Sequence, residues 1–269
     1  MDVKAIAAQL SGISEQLSVN SYQVSGIRYQ SPVIEVFGEI GSTNGVLWER
    51  FRAGAMMPRV AIAKRQTAGR GQWGKSWTSS EGGLYLSMLV PMELNPQDAY
   101  GLTIASVWGI TKYLRKQGIP VEIKWANDLI LNGKKLGGIK TETKIQAGKV
   151  TAAVIGVGIN YSNEIPDVGI NLQDFWDGDS QFPIEHLAAT VIAGISEAIA
   201  QLTEKGMESI LPNYLQLLKN LDELIVYEGH LGKIVGVNEK GELLVRMEAE
   251  GSRSTIKIPP GGVSLGYDR

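Results

Sequence analysis

Asn132-Gly133 constrains the fold of this chain more than any other pair of residues in it. Both central residues of a tight type I′ turn need a positive φ, which Asn and Gly tolerate, so the pair marks a hairpin. The flanking runs are strand-like, Asp128 to Leu131 before the turn and Lys135 to about Lys144 after it. A second reversal at Gln146-Ala147-Gly148 returns the chain through Val150 to Ile159, and Val121 to Trp125 adds a strand ahead of the first hairpin. The middle of the chain is therefore built from antiparallel neighbours.

Helices interrupt strands on both sides of this block. Arg59 to Ala63 and Gly83 to Val90 read as buried strands. Asn95-Pro96 opens a long helix to about Gln117, with Asn as cap, Pro in the first turn, and Gly118 and Pro120 as the stop. Further helices are expected at Ile184–Glu204 and Met207–Asn220. Ser42-Thr43 stands where a helix N-cap belongs, ahead of Leu47, Trp48 and Phe51. In residues 1–41, Lys4 to Leu17 suits a short amphipathic helix and Val33 to Phe37 a short strand. From Gly229 the pattern changes to short strands at His230–Val237, Glu242–Met247 and Ser254–Ile258. Turns at Glu239-Lys240-Gly241, Glu250-Gly251 and Pro260-Gly261-Gly262 separate or follow them. That spacing predicts a small β-barrel of about forty residues. The expected fold class is α+β, with a mixed, largely antiparallel sheet plus this C-terminal barrel.

Composition removes several kinds of chemistry. The chain has 269 residues and no cysteine, which excludes disulfides, thiolate catalysis and cysteine-built metal sites. Its two histidines, His186 and His230, argue against a multi-histidine metal centre or a Ser-His-Asp triad. With 26 Lys+Arg against 28 Asp+Glu, the chain lacks the cation excess of a general nucleic-acid coat. Residues 1–41 hold only Lys4 and Arg28 against Asp2, Glu15, Glu35 and Glu39, which argues against a DNA-reading helix-turn-helix. The longest run of apolar residues and glycines, Ala152 to Ile159, is far short of the ~20 residues of a membrane span. A soluble, cytoplasmic protein is expected.

Three segments can carry chemistry. In Gln66-Thr67-Ala68-Gly69-Arg70-Gly71-Gln72-Trp73-Gly74-Lys75-Ser76-Trp77, glycines allow backbone N–H groups to approach an anion that Arg70 and Lys75 neutralise. It is neither a P-loop nor a dinucleotide fingerprint, because a strand follows it. A flexible cationic hairpin loop is the plainer reading, but Trp73 and Trp77 need something to cover. Lys124-Trp125-Ala126-Asn127-Asp128-Leu129, with Lys134 to Gly138 returning by hairpin, suits either a phosphate–cation group or a solvated turn. Gly156-Val157-Gly158-Ile159-Asn160 ends a buried strand; taken alone, it reads as close packing.

In this order the segments resemble the biotin protein ligase family. The family pattern runs Ser-Thr-Asn, a Gln ahead of Gly-Arg-Gly, Lys-Trp-Pro-Asn-Asp-Leu, Lys-Leu-(Ala/Gly)-Gly-Ile, and Gly-(Ile/Val/Ala)-Gly-Ile-Asn. Here those are Ser42-Thr43-Asn44, Gln66 with Gly69-Arg70-Gly71, Lys124 to Leu129, Lys135 to Ile139, and Gly156 to Asn160. The likeness covers about residues 42–160, and the C-terminal strands resemble the family's SH3-like domain.

The resemblance implies a class II synthetase-like fold and an ATP-dependent ligase. Such an enzyme activates biotin as biotinyl-5′-AMP with Mg2+ and transfers it to one lysine of the biotin carboxyl carrier domain of acetyl-CoA carboxylase. It implies an N-terminal extension (1–41) packed on a catalytic domain (42–221), followed by an SH3-like domain (222–269). Carried over residue by residue, Ser42, Thr43, Asn44, Gln66, Gly69, Arg70, Gly71, Gln72 and Lys135 contact biotin. Arg70, Lys75, Trp77, Asn127 and Asn160 contact the adenylate, Lys135 and Arg70 are catalytic, and Asp128 and Asn160 are the metal's neighbours. A monofunctional enzyme without the DNA-binding domain of some members is implied, with no DNA or membrane partner and a homodimer through an exposed sheet edge.

Two positions depart from the pattern. Ala126 replaces a proline, and Gln72 stands where most members have a second arginine, which puts the usual adenylate clamp in doubt. A lipoate or octanoate ligase of the same superfamily is one alternative, and a non-catalytic biotin-sensing module the other. Hydrogen-bonding donors at Ser42, Thr43 and Gln66 suit a ureido ring better than a fatty acid, and the presence of Lys135 and Arg70 favours catalysis.

Overall fold

A computed structural model describes residues 1–16, 22–24, 27–29, 32–176, 182–249 and 252–266. Leu17 and the Glu250-Gly251 turn lie outside the described residues. The chain opens with helix α1 (Val3–Gln16) and two short strands, β1 (Tyr22–Val24) and β2 (Ile27–Tyr29), which pair antiparallel. Strand β3 (Val33–Ile40), helix α2 (Thr43–Arg52), and strands β4 (Arg59–Gln66) and β5 (Leu84–Leu94) follow. Next come α3 (Gly101–Lys116), β6 (Glu122–Lys124), β7 (Asp128–Leu131), β8 (Lys134–Gln146) and β9 (Lys149–Ile159). Helices α4 (Leu172–Phe175), α5 (Ile184–Lys205) and α6 (Leu211–Gln216) lead to β10 (Leu224–Tyr227), β11 (His230–Val237), β12 (Leu243–Ala249) and β13 (Ser252–Ile258).

Seven strands form the main sheet in the order β3-β4-β5-β9-β8-β7-β6. Only β3 and β4 are parallel; every other neighbour is antiparallel. The two hairpins that set this order turn where the sequence places them. Asn132 and Gly133 both have positive φ (49° and 75°), as do Ala147 and Gly148 (47° and 74°). Alternation along the strands then divides the sheet into two apolar faces. Val60, Ile62, Leu86 and Met88 meet α1, α3 and α5 on one face; Ala61, Leu89, Ala152 and Val154 meet Leu47 of α2 on the other. Ile6 and Leu10 of α1 are buried in the larger core, each burial worth about 1.5–3 kcal/mol.

The C-terminal barrel is corrected by the structure. Strands β10 to β13 form an open four-stranded sheet in sequence order, with no pairing of β13 back onto β10. Closure is unnecessary because the rest of the molecule covers the apolar face: Ile225, Ile234, Val237, Leu243, Val245 and Ile258 join the main core.

Three local expectations also change. Asn95 makes no side-chain cap; its Oδ1 accepts from Lys149 Nζ at 3.0 Å, and Pro96–Asp98 is a separate 3-10 turn before α3. Ser42 occupies the N-cap position of α2 without a side-chain capping bond, and the Thr43 hydroxyl bonds Gln66 and Ser87 instead of the helix. The helix expected over Met207–Asn220 is broken into a 3-10 turn and the short α6, the second beginning beside Pro212.

Candidate active site

Beyond α2, on the α2 face of the main sheet, lies a cavity of about 370 Å³. Its floor is nearly free of side chains, because Gly138 of β8 pairs with Gly158 of β9, and Gly156 lies two residues back on the same face. These glycines admit neighbours that no larger residue would allow. A Cβ on Gly156 would overlap the Asn44 side chain, and one on Gly158 would overlap the Trp77 indole. Close packing is thus what the Gly-Val-Gly segment provides, and the packed side chains are themselves cavity walls.

One wall is a neutral hydrogen-bonded network. Gln66 Oε1 accepts from the Thr43 backbone N–H at 2.8 Å and lies 3.1 Å from Thr43 Oγ1. Thr43 Oγ1 is 2.6 Å from Ser87 Oγ, and Ser87 Oγ donates to Asn44 Oδ1 at 2.6 Å. At the other end Gln66 Nε2 donates to Ser79 Oγ at 2.9 Å. Ser87 has no signal in the sequence beyond lying on a buried strand. The Asn44 Nδ2 amide is buried without a protein acceptor, as is the Trp77 Nε1 donor. An unmet buried donor is costly, so both favour an acceptor supplied from within the cavity.

Cations line the same cavity. Arg70, Lys75, Lys124, Lys135 and Lys140 line the cavity, with Asp128 the one carboxylate among its lining residues. The whole chain has a net charge of −2, so this concentration of cations is local. Lys135 Nζ sits 2.8 Å from Asp128 Oδ1 and 5.4 Å from the centre of the Trp77 ring. Lys124 is buried, which lowers its ammonium pKa to about 8; Lys135 and Lys75 push the same way, against Asp128 and Glu223.

The glycine-rich segment forms a small hairpin, as its plainer reading expects. Trp77 N donates to Gly69 O at 3.0 Å and Gly71 N to Lys75 O at 2.7 Å, while Trp73 (φ 55°) and Gly74 (φ 76°) make the turn. Gln72 Nε2 and Asn127 Nδ2 both donate to the Ile139 carbonyl, at 3.1 and 2.9 Å.

The structure brings most of the sequence-derived candidates to this one cavity: Ser42, Thr43, Asn44, Gln66, Arg70, Gly71, Gln72, Lys75, Trp77, Asn127, Asp128 and Lys135. Gly69 lies behind the wall, against Ser79 and the Trp77 backbone. Asn160 is also off the cavity: its amide donates to the Lys135 and Ile170 carbonyls at 3.4 and 3.3 Å, and Asn163 donates to its Oδ1 at 3.1 Å. Sequence reasoning passed over Tyr100, Lys140, and Gly261 with Val263 to Leu265, which also line the cavity. Lys140 had a usable signal, a cation immediately after the Lys-Leu-Gly-Gly-Ile motif. The others arrive through tertiary packing: the Gly241 carbonyl accepts from Trp125 Nε1 at 3.0 Å, and Gly241 packs on Tyr100. The Trp125–Ala126 peptide bond is cis where the family pattern has proline.

A cavity lined by both a neutral hydrogen-bonded network and cations suits a small acid together with an anionic partner. The profile of the "Biotin/lipoate A/B protein ligase family" matches residues 36–160. The bifunctional ligase/repressor BirA of Escherichia coli is 30% identical over 250 residues, 86% of this chain and 74% of that protein. BirA of Bacillus spizizenii is 29% identical over 244 residues, 84% of this chain and 72% of that protein. A solved structure of Aquifex aeolicus biotin protein ligase in complex with biotin and ATP superposes with a TM-score of 0.66 at 27% identity. It covers 83% of this chain and 95% of its own. The chain belongs to the biotin/lipoate A/B protein ligase family and is an enzyme of its biotin protein ligase branch. Among the described residues no helix is long and apolar enough to cross a membrane.

Proposed function

We propose that this enzyme activates biotin as biotinyl-5′-AMP and transfers the biotinyl group to a lysine of a biotin carboxyl carrier domain of acetyl-CoA carboxylase. The observation that carries the reading is the single cavity lined by both a neutral hydrogen-bonded network and five cations. The relatives and the solved structure bound to biotin and ATP support it. Thr43, Asn44 and Gln66, with Ser42 beside them, offer fixed donors and acceptors to an uncharged ureido ring. A fatty acid would leave the buried Asn44 Nδ2 donor unpaired, which is the physical ground for biotin over lipoate. Lys135 and Arg70 stand between the biotin carboxylate and the α-phosphate, two anions that otherwise repel. The carboxylate oxygen attacks phosphorus and pyrophosphate leaves; the acceptor amine then attacks the acyl carbon and AMP leaves, with the amine's proton released. Both steps gather charge on oxygen, which fixed cations and backbone donors stabilise without reorganising. Trp77, on the cavity wall, shields the anhydride from water.

Magnesium fits as an ion that travels with the nucleotide. Among the described residues no three acidic or histidine side chains group to cage a metal. Asp128 is the protein carboxylate that would touch the ion, alongside water and phosphate oxygens, as magnesium prefers. The ion would supply charge neutralisation for the triphosphate. Residues 1–41, 42–221 and 222–269 serve in this reading as extension, catalytic part and cap.

The direct test mixes the protein with ATP and either biotin or lipoate and measures pyrophosphate. Release with biotin alone is expected; release with lipoate alone would overturn the substrate assignment. The Lys124 ammonium gives a second expectation. It is charged below its pKa of about 8 and neutral above, so one cavity charge is lost as pH rises through that value. The KM for ATP is expected to rise about tenfold between about pH 7 and about pH 9, the worth of roughly one charge-assisted hydrogen bond. Lys124→Met should flatten that rise; an unchanged profile in the variant would assign the pH dependence to another group.

A further inference from the structure

We propose that Lys140 is a positioning residue that fastens the glycine-rich hairpin over the cavity and supplies, from the sheet, the positive charge that Gln72 does not. The ligand in this proposal rests on the reading above; the fastening does not.

Lys140 lies on β8 directly opposite Gly156 of β9, so its side chain passes a position where the neighbouring strand has none. Its Nζ donates to the Gly71 carbonyl at 2.9 Å and stands 3.6 Å from Glu142 Oε1. Glu142 Oε2 in turn accepts from Trp48 Nε1 of α2 at 2.7 Å. A continuous path therefore runs from α2, through two residues of one strand, to the loop. The next loop residue repeats the tie, since Gln72 donates to the Ile139 carbonyl at 3.1 Å. Two consecutive loop residues are thus held by two consecutive residues of β8. A solvated lysine paired only with a neighbouring glutamate would contribute little. Lys140 instead has a side chain only 22% exposed, bonds a backbone carbonyl across 69 residues of sequence, and lines the cavity.

The charge is placed differently from an arginine at position 72. A guanidinium there would ride on the loop and become ordered with it. The Lys140 ammonium hangs from the part of β8 that pairs with β9, and is in position before any ligand arrives. Preorganised charge of this kind loses less on binding. Glu142 orients it, and the Gly71 carbonyl couples its position to the closed loop.

Two measurements on Lys140→Met, Lys140→Arg and the double variant Gln72→Arg/Lys140→Met test the proposal. The first is amide hydrogen exchange across residues 70–76 in the unliganded protein, which involves no substrate. Lys140→Met is expected to speed exchange there and Lys140→Arg to preserve it; wild-type exchange in Lys140→Met would overturn the fastening. The second is release of preformed adenylate. Lys140→Met is expected to speed it about tenfold, equivalent to about 1.4 kcal/mol, with Lys140→Arg within about twofold. Recovery of retention in the double variant would show that the lost quantity is a cation beside the phosphate. Unchanged release in Lys140→Met, or no recovery in the double variant, would overturn the charge assignment. If wild-type protein releases no pyrophosphate from biotin and ATP, the ligase reading fails, and hydrogen exchange still decides the fastening.

Discussion

Lys135→Ala is expected to slow pyrophosphate release from biotin and ATP by about 10²–10³-fold, the usual loss when one transition-state contact to a developing oxyanion is removed. Lys135 is the residue best placed for that loss. Its Nζ is 2.8 Å from Asp128 Oδ1 and faces the Trp77 ring, so a partner on each side fixes the ammonium. Its backbone is also pinned, with Lys135 N donating to the Val168 carbonyl at 3.0 Å and Ile170 N to the Lys135 carbonyl at 3.0 Å. Truncating the side chain leaves those bonds intact, so the folded state and its thermal midpoint should be largely kept. Lys135→Arg restores charge without the compact geometry of an ammonium and should recover only part of the rate. Near-normal release from the alanine variant would reduce Lys135 to a solvated hairpin residue.

Gly158→Val should abolish detectable biotin binding by calorimetry, a loss of at least about 100-fold, or about 2.7 kcal/mol. The floor of the cavity exists because β8 and β9 present glycines side by side, Gly138 against Gly158. A Cβ on Gly158 would meet the Trp77 indole, and branching would fill the space beside it. Either the indole shifts and carries the wall with it, or the strands separate; overpacking typically costs about 1–3 kcal/mol in each case. Gly158→Ala is the graded control and should weaken binding less. Normal binding in a folded Gly158→Val protein would move the biotin site away from this floor.

Legibility in the sequence follows the range of the interaction that decides each feature. Hairpins at Asn132-Gly133 and Ala147-Gly148 depend on φ preferences of the turn residues themselves, and both form as expected. Strands β7 and β11 have the limits read from the sequence, and α5 ends one residue beyond the expected Glu204, at a glycine with φ 73°. Asn95 misled because an asparagine competent to cap had a distant cation, Lys149, as an alternative partner. Barrel closure misled for the same kind of reason. Strand spacing is local, whereas what covers the apolar face of β10–β13 depends on a core built elsewhere in the chain. The cavity divides likewise. Residues 42–44, 66–77 and 124–138 could be read as motifs, but Tyr100 and the segment from Gly261 to Leu265 reach it only through folding. Ser87 joined the network by facing α2 from a strand that otherwise reads as plain core.

The wall supplied by Gly261 and by Val263 to Leu265 also bears on how the enzyme comes into being. Residue 42 and residue 265 line the same space, so the site cannot close until the final strand of the small sheet has docked and carried its trailing segment across. Chains leave the ribosome from the N-terminus, and contacts between distant residues form slowly. A chain synthesised only through the seven-stranded sheet thereby lacks the wall that Gly261 and Val263 to Leu265 supply.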